Sequence, residues 1–211
     1  MINENQLKAL LAVAAVVWGV LLLKAGVHLE QRLFEPIPTV AGVVLVVAGV
    51  FDRYLWRWRV WRPWLVQRPD VRGTWRSTLT QTHGADGAVA AEPRTVYFAI
   101  RQTFSTLTVR LISDESASQS LSASIARSED GLYRILVVYN NQPRLAVRDS
   151  SPVHLGAMAL DVHEVAPATL SGQYWTDRRS MGEVRLGARV HALHTDLERA
   201  RAAFSGDDGK P

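Results

Sequence analysis

A run of polar side chains in residues 170–186 has the spacing of a β-hairpin. Alternate residues of a strand share a face, so Tyr174, Thr176 and Arg178 are predicted to lie on one side, before a turn at residues 179–182. An aromatic ring can stack on a base, and a guanidinium can pair with a phosphate through two parallel hydrogen bonds. This face therefore suits a ligand that contains bases and phosphates. The simpler interpretation is an ordinary half-buried hairpin whose arginine points into water.

Polar residues also end or begin the apolar faces of other predicted strands. Gln102 and Tyr139 end two such faces, and His154 begins a third. The alternating serines from Ser116 to Ser124 are predicted to share one side, although a solvated edge explains the serines more simply. Polar groups at the ends of apolar faces indicate a wet cavity or a barrel mouth. The candidate ligand-binding residues are Tyr174, Thr176, Arg178, Tyr139, Gln102, Ser120, Ser122 and His154. Which alternating face points inward stays open, because a shift of one residue in register reverses it.

The sequence contains no recognisable catalytic or metal-binding constellation. It has 0 Cys, which excludes disulfides, thiol catalysis and cysteine-based metal sites. Its 6 histidines do not have the spacing of a zinc site, and His191 with His194 would supply only two ligands. A glycine-rich phosphate loop and a serine nucleophile elbow are also missing. The sequence predicts a binding protein rather than an enzyme, with no metal and no cofactor.

Short runs of alternating apolar and polar residues follow Pro69, and these would position the candidate residues. Turn signals such as Asp130-Gly131 separate the runs. No long helical period intervenes, so the sheet is predicted to be antiparallel, and eight consecutive short strands favour a closed barrel or a sandwich. The predicted strands are Val71–Thr82, Thr95–Thr103, Thr106–Asp114, Ser118–Ser128, Leu132–Asn140, Val153–Val165, Thr169–Arg178 and Met181–Arg189.

The predicted fold class is all-β. It consists of an eight-stranded antiparallel, lipocalin-like small barrel, preceded by a two-helix transmembrane hairpin and followed by a short helix. Such a barrel has room for packed side chains or for one small ligand. The helix is predicted over Ala188–Phe204, where it would plug the barrel or pack on it. The predicted domains are 1–68 for the hairpin and its linker, 69–204 for the barrel, and 205–211 for a disordered tail.

Two apolar runs, Ala9–Leu23 and Ile37–Phe51, carry the transmembrane prediction. Each has about fifteen residues, roughly 22 Å of helix, which is short for a bilayer core of about 30 Å. Flanking cations and aromatic residues can supply the difference. A buried core helix and a signal peptide are the alternatives. Two runs close together, without a basic n-region or a clear cleavage site, favour the hairpin.

Charge sets the predicted orientation of this hairpin. The whole chain has a modest formal net charge of +4, but residues 52–68 hold five arginines and only one acid. The positive-inside rule then places both termini and the barrel in the cytoplasm. Amphipathic aromatic side chains beside arginines suit the headgroup layer of a membrane, and small side chains on the helices suit self-association. The aromatic residues are Trp56, Trp58, Trp61 and Trp64, and the small ones are Ala15, Gly19, Gly42 and Gly49.

Several short motifs accompany this architecture. They are Gly73-Thr74-Trp75; Gln102-Thr103-Phe104; the serines Ser116 to Ser124; Tyr139-Asn140-Asn141-Gln142-Pro143; His154-Leu155-Gly156; and Gly172-Gln173-Tyr174-Trp175-Thr176-Asp177-Arg178 with Gly182. The architecture and these motifs resemble a family of effectors from bacterial anti-phage (CBASS) operons. This family has two transmembrane segments and a strand-rich domain, and it is associated with cyclic-nucleotide synthases of the SMODS type. The resemblance covers roughly Leu7 to Leu186.

The resemblance implies a sensor of a cyclic di- or oligonucleotide, located in the bacterial inner membrane. Ligand binding in the barrel would drive homo-oligomerisation, disruption of the membrane and death of the infected cell. No direct binding to a nucleic-acid polymer is expected. A Gly-x-Trp motif on the first strand also resembles the lipocalins, so a membrane-anchored carrier of a lipid or another apolar ligand is the alternative. A purely structural membrane protein is a third.

Overall fold

The computed structural model describes residues 4–24, 37–61, 66, 68–84 and 92–205. The chain divides into two compact units, Met1–Gln67 and Arg68–Pro211. The predicted disordered tail lies almost wholly outside the described residues, as do most of the loop between the two apolar runs and Trp64.

Two helices form at the two apolar runs of the first unit. Helix α1 spans Glu4–Lys24 and helix α2 spans Ile37–Arg53, and short 3₁₀ turns follow at Leu55–Arg57 and Arg59–Trp61. Helix α2 has 17 residues, or about 25 Å of length, and α1 has charged residues at both ends. Among the described residues, no helix is both long enough and apolar enough to cross a membrane. The helices were therefore predicted correctly, whereas their assignment as a transmembrane hairpin is not supported.

The second unit is a closed antiparallel barrel in which each strand pairs with the next and β8 pairs with β1. All eight predicted strands are present, with ends that differ by a few residues. This up-and-down order follows from the turn signals, because short connections join antiparallel neighbours. The strands are β1 Gly73–His83, β2 Arg94–Gln102, β3 Leu107–Ile112, β4 Ser116–Arg127, β5 Tyr133–Pro143, β6 His154–Val162, β7 Leu170–Thr176 and β8 Met181–Val190.

Large apolar side chains fill the middle of the barrel. They come from the inward faces of the strands, as the alternation predicted, although β4 contributes only the partly buried Ala123 and Ile125. The indole nitrogen of Trp75 donates to the carbonyl oxygen of Val71 at 2.9 Å, so even this polar atom is paired inside the core. Little free space remains at this level of the barrel. The fully buried members are Trp75, Phe98, Ile100, Ile135, Leu160, Leu170 and Leu186.

One end of the barrel is closed by a stacked pair of side chains. A register shift between β1 and β8 brings Arg189 opposite Trp75, and its guanidinium lies 4.9 Å from the indole centroid. Arg189 also donates to the carbonyl oxygen of Asp70 at 2.7 Å. Burial acts to raise the pKa of Asp70, but hydrogen bonds and the charge of Arg72 outweigh it and hold that pKa below its ordinary value. Access to the interior is therefore from the opposite end.

The C-terminal helix is shorter than predicted. Ala188–Val190 belongs to β8, and helix α3 spans only Leu197–Ala202. Because β8 continues to Val190 and pairs there with β1, these residues are part of the sheet and not of the helix. The segment packs on the outside of the barrel rather than plugging it, and Phe204 stacks on Tyr97 with ring centroids 5.9 Å apart.

The packed interior predicts which leucines stabilise the barrel. Leu160 is 0% exposed inside it, whereas Leu121 is 65% exposed on its outer surface. We expect Leu160→Ala to lower the free energy of unfolding of a 68–205 fragment by about 2–5 kcal/mol, since it leaves a core cavity. The matched control Leu121→Ala should change it by less than about 0.5 kcal/mol. Urea unfolding followed by tryptophan fluorescence measures both, and equal effects would contradict the assigned inward face.

Candidate functional site

The open end of the barrel contains a cavity of about 740 Å³. That volume falls within the range of small-molecule sites, about 300–1,000 Å³. The cavity lies where β1, β3, β5 and β7 end and where β2, β4, β6 and β8 begin. Its walls are mainly polar or aromatic, unlike the packed apolar layer beneath. The polar and aromatic lining includes Gln81, Arg94, Ser116, Ser118, Tyr139, Asn141, Ser151, His154, Tyr174, Thr176, Arg178 and Ser180.

Two tyrosines form the inner wall of this cavity, and each lies over a glycine of the neighbouring strand. Tyr139 pairs with Gly156 across β5 and β6, and Tyr174 pairs with Gly182 across β7 and β8. A Cβ atom at Gly156 would collide with the Tyr139 ring, and one at Gly182 would lie 2.8 Å from Cε1 of Tyr174. The glycines therefore let both rings lie against the wall, which leaves the space in front of them open.

The hydroxyl groups of these tyrosines have no hydrogen-bond partner in the described part of the chain. Both tyrosines are buried as residues, but neither hydroxyl is among the fully enclosed polar atoms that lack a partner, so each hydroxyl is accessible from the cavity. Burial raises the pKa of Tyr139 and of Tyr174. The nearby Tyr174 and Asp177 raise the pKa of Tyr139 further. Both phenols are therefore neutral near pH 7, with a proton to donate into the cavity.

Asn141 and Ser118 form a polar pair on the wall beside Tyr139. They are opposite each other in the pairing of β5 with β4. The Ser118 hydroxyl donates to Oδ1 of Asn141 at 2.7 Å. The amide nitrogen of Asn141 has no partner among the described residues, although the side chain is nearly buried. The pair thus adds an amide donor to the two phenol donors of the cavity wall.

Arg178 lies at the rim, in the turn after β7. The strand ends at Thr176 rather than at Arg178 as predicted, and Arg179 turns the chain with a φ of 62°. Arg178 donates to Oγ of Ser151 at 2.9 Å and to the carbonyl oxygen of Ser150 at 3.2 Å. Both acceptors are neutral, so neither contact offsets the positive charge of the guanidinium at the mouth.

Two other arginines at the rim are paired with carboxylates. Arg94 donates to Glu115 at 2.6 Å, and Arg201 donates to Asp114 at 3.0 Å. These pairs are exposed and contribute little to stability. Their charges largely cancel, which makes Arg178 a stronger anchor for an anion than Arg94.

Five of the eight candidate residues meet at this cavity. Tyr139, Tyr174, Thr176, Arg178 and His154 all line it. The Thr176 hydroxyl lies 2.6 Å from that of Ser180. Nδ1 of His154 donates to the carbonyl oxygen of Pro152 at 2.9 Å, because a carbonyl can only accept.

The structure places the other three candidate residues elsewhere. Gln102 lies at the closed end, where it accepts from the Val71 amide at 3.0 Å and donates to the Pro69 carbonyl at 2.8 Å. Ser120 points inward below the cavity and accepts from the Val109 amide at 3.0 Å. Ser122 is exposed on the outer face, so the prediction that all the alternating serines share a side is wrong.

A bulge in β4 explains the error at Ser122. Ser120 pairs with Tyr139, but Ser122 pairs with Val138, the next residue on β5. The extra residue, Leu121, reverses the alternation after it, so Ala123 packs against the core while Ser122 faces out. Nothing in the local sequence distinguishes this bulge from a regular strand.

The sequence analysis missed several residues of the cavity wall as ligand contacts. Asn141 follows Tyr139 by two residues and therefore had the correct spacing for the same face. Gln81 continues the inward line of β1 in the same way. Among the described residues, no group of histidine and carboxylate side chains has the arrangement of a metal site.

The unpartnered hydroxyl of Tyr139 leads to a test of the free protein. We expect Tyr139→Phe to leave the free energy of unfolding within about 0.5 kcal/mol of wild type, because no intramolecular hydrogen bond is lost. Gly156→Ala should lower it by about 1–3 kcal/mol, since the methyl group displaces the ring. Urea unfolding of the 68–205 fragment measures both. A loss above about 1.5 kcal/mol in Tyr139→Phe would show that the hydroxyl is bonded within the protein.

Comparison with known proteins identifies the family. A family model described as "Cap15, cyclic dinucleotide receptor domain" matches residues 66–187, which include seven complete strands and most of β8. The chain is also 31% identical over 136 residues to CD-NTase-associated protein 15 of Staphylococcus schleiferi, an alignment that covers 64% of this chain and 69% of the relative. Both matches agree with the family indicated by the motifs, and the chain therefore belongs to the Cap15 family, whose barrel is a cyclic dinucleotide receptor domain.

Proposed function

We propose that this chain is a cyclic-dinucleotide-activated effector of CBASS anti-phage defence. The barrel binds the nucleotide in its mouth cavity, and the N-terminal unit produces the response. The observation that carries the proposal is the convergence of polar side chains on one cavity of about 740 Å³. These groups are the hydroxyls of Tyr139 and Tyr174, the amide nitrogen of Asn141 and the guanidinium of Arg178. The family match supports the same class of ligand.

The chemistry of these groups suits a cyclic dinucleotide in two respects. Neutral phenol and amide donors match the oxygen and nitrogen acceptors on bases and phosphates. Arg178 can exchange two neutral oxygens for a phosphate, which forms stronger, charge-assisted hydrogen bonds. A dianionic ligand would therefore gain from each group without needing a new pocket. The role that we propose for these groups is binding and not catalysis.

The alternative, a carrier of a lipid, fits the cavity less well. An acyl chain needs a deep apolar space, and the barrel is filled below the mouth by Trp75, Phe98 and Leu160. The apolar pit beneath the cavity has a volume of only about 10 Å³. A flat polar molecule can occupy the mouth, whereas an acyl chain would have to displace the core.

For the response, we propose self-association of the N-terminal unit at the inner membrane, with the barrel in the cytoplasm. Helices α1 and α2 expose large apolar side chains, among them Leu11, Val16, Leu45 and Val46. Side chains of this kind need an apolar environment, such as lipid or a second copy. Assembly would disrupt the membrane and kill the infected cell.

Arg178→Ala tests the proposed ligand site. Loss of one charge-assisted contact costs about 1.5–3 kcal/mol, or roughly ten- to a hundredfold in affinity. We expect calorimetry with a panel of cyclic dinucleotides to show this loss, and Arg178→Lys to be intermediate because it lacks the planar fork. The melting temperature of the free protein should change little, because the hydrogen bonds of Arg178 lie at the exposed rim.

The matched control for that variant is Arg101→Ala. Arg101 is exposed on the outer face of β2 near the closed end, so this substitution removes the same charge far from the cavity. It should leave affinity unchanged. Equal losses of affinity in Arg178→Ala and Arg101→Ala would indicate only a long-range charge effect. An unchanged affinity in Arg178→Ala would show that Arg178 does not contact the ligand at the rim.

A second prediction separates sensing from response. The 68–205 fragment contains the whole barrel and its cavity, so we expect it to bind the same cyclic dinucleotide as the full chain. It should not kill cells when expressed with the ligand, whereas the full chain should. Growth curves and membrane-potential dyes measure the difference. Killing by the fragment would show that the N-terminal unit is not the effector part.

A further inference from the structure

We infer that two copies of this chain pair through the outer face of strands β4–β8, with β6 at the centre of the contact. This inference goes beyond the proposed function, which places self-association in the N-terminal unit. It rests on a row of exposed apolar side chains on the barrel and on the register of the strands that carry them.

Large apolar side chains form a band across this face, with one exposed member on each of five consecutive strands. In the pairing register, Ala157 of β6 is opposite both Val138 of β5 and Trp175 of β7. Met181 continues the row on β8, and the bulge residue Leu121 extends it on β4. Contiguous exposed apolar side chains of this kind mark interaction sites. The members of this outer band, each 44–65% exposed, are Leu121, Val138, Leu155, Trp175 and Met181.

The other side of the barrel is covered by the chain itself. Phe204 and Ala200 of the C-terminal segment pack against Tyr97 on the outer face of β2. In the part of the chain that the structure describes, no segment buries the outer band in the same way. The band is therefore the side of the barrel on which a partner can bury apolar surface.

The order of side-chain sizes along the band suits a second copy. The row runs from Leu121 to Met181 with two large side chains on each side of the small Ala157. A two-fold axis through Ala157 would place Trp175 of one copy over Val138 of the other. The same rotation brings Met181 over Leu121 at the edge of the contact. Self-complementary contacts of this kind are the commonest in homo-oligomers.

The charges beside the band favour a second copy over an anionic membrane surface. Asp177 and Glu183 are exposed two residues beyond the band members of β7 and β8, and anionic headgroups would be repelled by both. The neighbouring Arg179 and Arg185 are also exposed, so a second copy can offer cations to these acids. A standard interface buries about 800 Å² per partner and has an apolar centre with a polar rim. The band and its charged surroundings have this arrangement.

Cysteine cross-linking of the full chain tests the pairing, because the chain has 0 Cys of its own. Ala157→Cys places a thiol at the proposed axis, and the matched control Thr108→Cys places one on the exposed outer face of β3. We expect a bismaleimide to form at least about threefold more covalent dimer with Ala157→Cys, because a two-fold contact brings the same residue of both copies together. Gels measure the yield for protein in a mild detergent, without ligand and with each of a panel of cyclic dinucleotides.

A second variant tests whether the apolar band holds the two copies together. Trp175→Glu in the Ala157→Cys background should lower the dimer yield to that of the control, since it places a charge in an apolar contact. Thr78→Glu adds the same charge at an exposed site on the outer face of β1 and should leave the yield unchanged. Melting curves verify that each variant is folded.

Equal yields for Ala157→Cys and Thr108→Cys in every condition, or an unchanged yield after Trp175→Glu, would overturn the inference. Self-association through the N-terminal unit alone would raise both yields alike, so it cannot be mistaken for pairing at the band. A thiol at position 157 that forms no dimer, yet reacts slowly with a monofunctional maleimide, would show that another occupant covers the band and would also overturn the inference. Ligand affinity is measured separately by calorimetry, so failure of the pairing leaves the proposed ligand site unaffected.

Discussion

The structure depends on the narrow interior of an eight-stranded barrel. An interior of this width holds either one layer of packed side chains or one small ligand. Here Trp75, Phe98 and Leu160 fill the middle, and Arg189 stacked on Trp75 closes one end. Within the described part of the barrel interior, space for a ligand is therefore found at the other end, where the inward residues become smaller and more polar. Serines and an asparagine leave space there that leucines would have filled.

The same constraint explains why the mouth is built at some cost to stability. Among the described residues, the hydroxyls of Tyr139 and Tyr174 have no hydrogen-bond partner, and Asn141 is bonded through its amide oxygen to Ser118. Replacing these groups by apolar side chains of similar shape would be nearly neutral or slightly stabilising for an isolated barrel. Gly156 and Gly182 add to this cost, because glycine weakens a strand. Such departures from good packing concentrate where a ligand completes the structure.

Sequence predicted the strands well and the site only in part, for identifiable reasons. Period-two alternation is local, so all eight strands could be found. In an up-and-down barrel, however, even-numbered and odd-numbered strands end at opposite ends. Gln102 ends β2, whereas Tyr139 is near the end of β5. One strand is even-numbered and the other odd-numbered, so strand order alone would have placed these two residues at opposite ends of the barrel. The bulge at Leu121 is different, because it depends on pairing with β5 and leaves no local signal before Ser122.

The arginines at the rim show why charge counts from a sequence do not locate a phosphate site. Arg94 and Arg201 have carboxylate partners at 2.6 Å and 3.0 Å, whereas Arg178 donates to neutral oxygens of Ser150 and Ser151. A ligand that takes Arg94 must break an ion pair, but one that takes Arg178 displaces only two ordinary hydrogen bonds. The two neutral contacts also hold the guanidinium in place, which reduces the entropy lost on binding. Recognition at this mouth therefore combines the Arg178 guanidinium with several neutral donors, a combination that favours a small, flat anion with polar edges over a highly charged polymer.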